Sequence, residues 1–177
     1  MKKNKKALLV IDMQNGFSDK NHSWYVPGIE KCSDNITAIL KRWNKQDVFL
    51  TAFVNKNIRI TKSKDSFFQK NGKDCAVIDT FEKIFRSRIF YKNGYSAWKN
   101  EKIKKNLSSY DVIYICGVEA QSCVLFTAAE TYDLAKKFFI ISDAVAGFGV
   151  FKSKKTFSDY CKKRFGECLC SVNDIIK

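Results

Sequence analysis

The chain has a single histidine, His22, and a single proline, Pro27, and it has few carboxylates to set against its lysines. One imidazole is too few for the multi-histidine zinc sites, and nothing in Asn21-His-Ser-Trp24 supports a Cys–His arrangement of the papain or caspase kind. No apolar run approaches the length of a membrane span, so no membrane association is expected. The basic start, Met1-Lys-Lys-Asn-Lys-Lys6, leads straight into a short strand-like run and lacks the apolar stretch and cleavage site of a signal peptide. Linkers, internal repeats and low-complexity tracts are absent too. Asp and Glu number 18 against 32 Lys and Arg, a formal charge of +14. That excess raises the question of nucleic acid. The lysines, however, come as scattered pairs such as Lys104-Lys105, Lys136-Lys137, Lys154-Lys155 and Lys162-Lys163. Pairs spread between apolar positions describe a solvated basic surface better than a binding stripe, so no nucleic-acid partner is expected.

What is present describes a packed protein. With 45% hydrophobic residues and 15 Phe in 177, disorder is excluded and one domain over residues 1–177 is expected. The seven cysteines are odd in number, and Cys75, Cys116 and Cys123 lie in or beside apolar runs. This suits reduced thiols and a cytoplasmic location. Cys168-Leu-Cys170 near Cys161 is a weak metal signal without a second pair, and no metal site or cofactor is expected.

Strand-like and helical segments alternate. Short apolar runs at Ala7–Ile11, Val48–Val54, Ile89–Tyr91, Val112–Cys116 and Phe138–Ser142, with a last one near Cys168–Ser171, read as strands. Helical periodicity covers Ile29–Lys45, Trp98–Leu107, Gln121–Lys136 and Lys152–Arg164, and residues 55–80 read as a long polar excursion. Alternation of this kind predicts a three-layer α/β/α domain around a mainly parallel sheet of about six strands.

In such a sheet ligands bind beyond the carboxyl ends of the strands. The first strand ends in Asp12, the third in Lys92, and the central strand leads through Gly117-Val118 to Cys123. The three together have a coherent chemistry. Asp12 can take the thiol proton and return it to a leaving nitrogen, and Lys92 adds positive charge beside both. Cys123 falls in the first turn of an expected helix, where free N–H groups and the helix dipole favour thiolate. Backbone N–H groups from Glu119 to Cys123 are candidates for an oxyanion site.

At these residues the chain resembles the isochorismatase-like cysteine hydrolases. The resemblance rests on Val10-Ile-Asp-Met-Gln-Asn-Gly-Phe17, Lys92-Asn-Gly-Tyr-Ser-Ala-Trp98, Gly117-Val-Glu-Ala-Gln-Ser-Cys-Val124 with Thr127-Ala128, and Ser142-Asp-Ala144. It implies a Rossmann-like topology, a catalytic triad of Asp12, Lys92 and Cys123, and a cis peptide between Val118 and Glu119 that shapes the oxyanion site. It further implies a homodimer or homotetramer. Gln14, Phe17, Tyr95, Trp98 and Ala120 are candidate pocket residues, with Phe17 the best placed for a wall. Two departures narrow the expectation. Nicotinamidases of the family bind a metal through an Asp and two His on the loop after the second strand, where this chain reads Thr51-Ala-Phe-Val-Asn-Lys-Asn57. Ala120 replaces the family's usual Thr. The expected function is a metal-independent cysteine hydrolase that cleaves a C–N bond of a small non-peptide amide or carbamoyl compound through a thioester. The alternative is a catalytically silent binding or scaffold member of the same fold.

Overall fold

The computed structural model describes residues 4–55 and 67–176. Six strands, β1 (Lys6–Ile11), β2 (Val48–Phe53), β3 (Ile89–Lys92), β4 (Val112–Gly117), β5 (Lys137–Val145) and β6 (Leu169–Cys170), form one sheet in the order β3-β2-β1-β4-β5-β6. Every pairing is parallel. The helices are α1 (Asn15–Ser18), α2 (Ile29–Leu40), α3 (Asp79–Phe85), α4 (Glu101–Leu107), α5 (Leu125–Asp133), α6 (Lys154–Phe165) and α7 (Asn173–Ile176).

The strands are apolar on both sides because both sides are covered, as a parallel sheet with helical crossovers requires. Side chains of β1 alternate between two cores, as the period of two dictates. Leu8 and Val10 join Ile29, Ile36 and Ile39 of α2 and Phe81 and Phe85 of α3. Ala7, Leu9 and Ile11 join Ile103 and Leu107 of α4, Val124 and Ala128 on the α5 side, and Phe157 of α6. The order in which strands are added to the sheet reverses between β1 and β4, so the crevice beyond their carboxyl ends is the natural binding place. Among the described residues no helix is long and apolar enough to cross a membrane.

Element bounds depart from the sequence expectation where local hydrogen bonds intervene. The helix expected to reach Lys45 stops at Leu40, because Arg42 and Trp43 both donate to the Ile39 carbonyl in a tight turn and Asn44 then caps a short 3-10 turn. The helix expected from Trp98 starts at Glu101, because the Asn100 side chain accepts the Ile103 N–H at 3.0 Å. The helix expected from Lys152 begins at Lys154, capped by Ser153. The excursion over residues 55–80 conceals the start of α3, whose buried stripe is only Phe81 and Phe85. Part of that excursion, residues 56–66, lies outside the described residues.

Candidate active site

Asp12 closes β1 with a left-handed backbone, φ 50°. That conformation costs a non-glycine residue about 1–2 kcal/mol and swings the carboxylate off the strand axis. Both the Thr51 carbonyl and the Thr51 hydroxyl receive the Asp12 N–H, each at 3.2 Å, while the hydroxyl donates to Asp12 Oδ1 at 2.6 Å. The other oxygen, Oδ2, meets Lys92 Nζ at 2.7 Å in a fully buried ion pair.

Lys92 comes from β3, two strands away from β1, and is paired in register with Phe53 of β2. Its stem crosses the β2 end, with Nζ 5.6 Å from the Phe53 ring centroid. The ammonium also donates to the Gly94 carbonyl at 2.8 Å and to Cys123 Sγ at 3.3 Å. The ammonium thus has an ion pair and two hydrogen bonds within the protein. Burial disfavours the charge on Lys92, yet the adjoining Asp12 and Cys123 raise its proton affinity above the ordinary lysine value. The ammonium is fixed in place and stays charged.

Cys123, 6% exposed, sits in a π-helical turn, Ala120–Val124, that precedes α5. Gly117, at φ 109°, makes the approach possible: a Cβ there would fall 2.1 Å from the Ile11 carbonyl oxygen. The following peptide, Val118–Glu119, is cis. Burial works against the expected thiolate. Burial pushes the Cys123 thiol up to about 12, the Asp12 carboxylate adds to the rise, and the Lys92 ammonium opposes it without prevailing. The N–H groups of the turn do not simply face the sulfur either. Val118 donates to Ile11, Ala120 to Ala146, Gln121 to Gly147 and Ser122 to Glu119. The side chain that bonds the Cys123 sulfur is the Lys92 ammonium.

A second buried network joins the Cys123 turn to the segment after β3. Trp98 Nε1 donates to the Thr131 hydroxyl at 2.8 Å, and that hydroxyl donates to the Thr127 carbonyl at 2.6 Å. The Ala97 N–H donates to the Thr127 hydroxyl at 3.0 Å, which in turn donates to the Cys123 carbonyl at 2.6 Å. The segment that presents Gly94 and the turn that presents Cys123 are therefore locked to each other. Thr51, Thr127 and Thr131 are all buried. Thr51 and Thr131 escaped the sequence reading, and the only available signal was a hydroxyl among apolar neighbours.

The candidate pocket residues have varied surroundings. Gln14 is buried, with its amide donating to the Phe53 and Cys75 carbonyls at 2.9 and 2.7 Å and accepting the Phe53 N–H at 2.7 Å. Phe17 is buried with its ring 4.6 Å from that of Phe68, which also contacts Phe53 and Trp24. Trp98 belongs to the network just described, and Ala120 is fully buried. Tyr95 is half exposed and stacks on Phe126. His22 accepts the Trp24 N–H at Nδ1 and packs edge-on against Phe67 and Phe68. Among the described residues no group of three or more His, Cys, Asp or Glu could hold a metal ion.

In class, then, this is a doubly wound α/β protein with a buried carboxylate, ammonium and thiol gathered at its strand-end crevice. The sequence profile of the isochorismatase domain matches residues 6–172, and the chain belongs to the isochorismatase family. It is 26% identical over 158 residues to the uncharacterized isochorismatase family protein YrdC of Bacillus subtilis (strain 168), an alignment covering 88% of this chain and 81% of that protein. Among solved structures it is similar to a cysteine hydrolase from Pseudomonas syringae pv. phaseolicola 1448A, with TM-score 0.80, 21% identity, and coverage of 97% of this chain and 91% of that one. It is also similar to N-carbamoylsarcosine amidase from Thermoplasma acidophilum, with TM-score 0.77, 21% identity, and coverage of 98% and 99%. Nicotinamidase from Bacillus subtilis aligns with TM-score 0.78 and 18% identity over 94% of this chain and 99% of that one.

Proposed function

We propose that this protein hydrolyses a C–N bond in a small non-peptide amide or carbamoyl compound, with Cys123 as nucleophile and a thioester as intermediate. The observation that carries the reading is one ammonium, Lys92 Nζ, in contact with both the Asp12 carboxylate at 2.7 Å and the Cys123 sulfur at 3.3 Å. Family membership and the amidases among the similar structures agree with it.

In the first half-reaction the sulfur attacks the carbonyl carbon while its proton passes to Asp12. A thiol held up to about 12 by burial is a poor nucleophile until that transfer occurs, so attack and transfer are coupled. The neighbouring ammonium stabilises the developing thiolate, which is the only form it can help. Because Val118, Ala120, Gln121 and Ser122 already donate elsewhere, Glu119 and Cys123 are the backbone donors assigned to the oxyanion. Collapse breaks the C–N bond, and Asp12 returns the proton to the departing nitrogen. In the second half-reaction Asp12 takes a proton from water, hydroxide attacks the thioester carbon, and the C–S bond breaks. The Asp12 proton returns to sulfur, which restores the thiol and releases the acid.

The proposal is tested by screening a panel of small amides and carbamoyl compounds for ammonia or amine release, with the Cys123→Ala variant alongside. Parent turnover on one of them, lost by a factor on the order of 10^4 or more in the variant, is the expected result. A variant that hydrolyses the same amide at the parent rate overturns it.

A further inference from the structure

The Asp12 carboxylate has two oxygens with different neighbours, and the difference assigns a task to Thr51. Oδ2 faces the Lys92 ammonium at 2.7 Å. Oδ1 receives the Thr51 hydroxyl at 2.6 Å. The hydroxyl has one hydrogen, and its oxygen also accepts the Asp12 N–H at 3.2 Å. Its hydrogen is therefore committed to Oδ1. A second hydrogen on Oδ1 would have to point at that donor, whereas Oδ2 lies on the side of the reacting groups.

We infer that Thr51 is a positioning residue that makes Oδ2 the proton-carrying oxygen of Asp12. The inference rests on the triad reading above, since it matters only if Asp12 exchanges a proton with Cys123. Thr51 is 1% exposed within the apolar run of β2, so no solvent competes for its hydroxyl. A hydrogen bond to a charged acceptor is about twice as strong as one to a neutral acceptor. Removing this donor therefore destabilises the ionised carboxylate more than the protonated one, and proton uptake becomes easier. The ionisable groups that face Asp12 are Lys92 from β3, Cys123 from the π-helical turn and Cys75 from the segment before α3. None of them is altered by a change at position 51.

The test needs no known substrate. Alkylation of Cys123 by iodoacetamide is followed by peptide mass spectrometry as a function of pH, which separates this thiol from the other six. The acidic limb of the parent profile sets the reference midpoint. Thr51→Val, nearly the same shape without the donor, should move the midpoint of that limb to higher pH by about one unit. Thr51→Ser should restore the parent midpoint, and Thr51→Cys, a weaker donor, should fall between. The serine–cysteine comparison carries the test where the valine variant does not fold. A Thr51→Val or Thr51→Cys profile superimposable on the parent's, or a Thr51→Ser profile displaced as far as the valine one, overturns the assignment. Asp12→Asn separates the two readings. Loss of the limb in that variant supports the triad whatever Thr51 does, and a limb unchanged by Asp12→Asn rejects the triad itself.

Discussion

The two ends of this sheet treat polar groups in opposite ways. At the amino end, side chains bond at the surface or in partial burial. Tyr110 donates to Asp47 at 2.7 Å, Arg88 to the Gln46 carbonyl at 2.7 Å, and Lys136 to the Ser108 and Tyr110 carbonyls at 2.9 and 3.0 Å. At the carboxyl end, Asp12, Gln14, Thr51 and Lys92 are buried at 3% exposure or less, joined by a nearly inaccessible thiol. A left-handed Asp12 adds backbone strain to the same place. Surface hydrogen bonds and exposed pairs cost little and return little. Burying an ion pair is expensive, and apolar residues of similar size would serve stability as well or better. The contrast supports the proposed site: the carboxyl end holds charges where no stability argument requires them, and the amino end does not.

Three kinds of change sharpen or break that contrast, beginning with the largest. Lys92→Met leaves the Asp12 carboxylate buried without its cation and should cost about 3–5 kcal/mol of stability by thermal or denaturant unfolding. The double variant Asp12→Asn/Lys92→Met should recover most of that loss while remaining without amide turnover. If Lys92→Met alone unfolds like the parent, the carboxyl end is not the high-cost region described here. Tyr110→Phe, at the other end, removes one partly buried hydrogen bond and should cost only about 0.5–1.5 kcal/mol. Its Cys123 alkylation profile should match the parent's. A displaced profile in this variant would dissolve the distinction between the two ends.

Parts of the molecule were legible in its sequence for identifiable physical reasons. A parallel sheet buried on both faces produces short, wholly apolar runs, so β1, β2 and β4 stand out in Leu8-Leu-Val-Ile11, Val48-Phe-Leu-Thr-Ala-Phe53 and Val112-Ile-Tyr-Ile-Cys116. Asp12, Lys92 and Cys123 stood out because each follows such a run, where a parallel sheet delivers side chains to one edge. Thr51 did not, because inside a strand a threonine reads as one more β-branched residue. Trp98 was read as a candidate pocket residue, whereas its partner Thr131 lies 33 residues away and that pairing exists only after folding. Two opposing effects act on the thiol, and their magnitudes differ. A helix terminus contributes about 0.3–1 kcal/mol at a surface, whereas burying a charge can shift an ionisation by several pH units. Helix α3 was hidden because two phenylalanines four apart are too short a stripe to announce a helix.

The central claim is that Cys123 forms a covalent acyl intermediate, and acid quenching of the enzyme during turnover of a small amide tests it most directly. The account predicts, in the first turnover, a mass increase equal to the acyl group on the peptide carrying Cys123, discharged by water in the parent. Product formed in a single turnover with no adduct on Cys123, or with the acyl group on another residue, would contradict it.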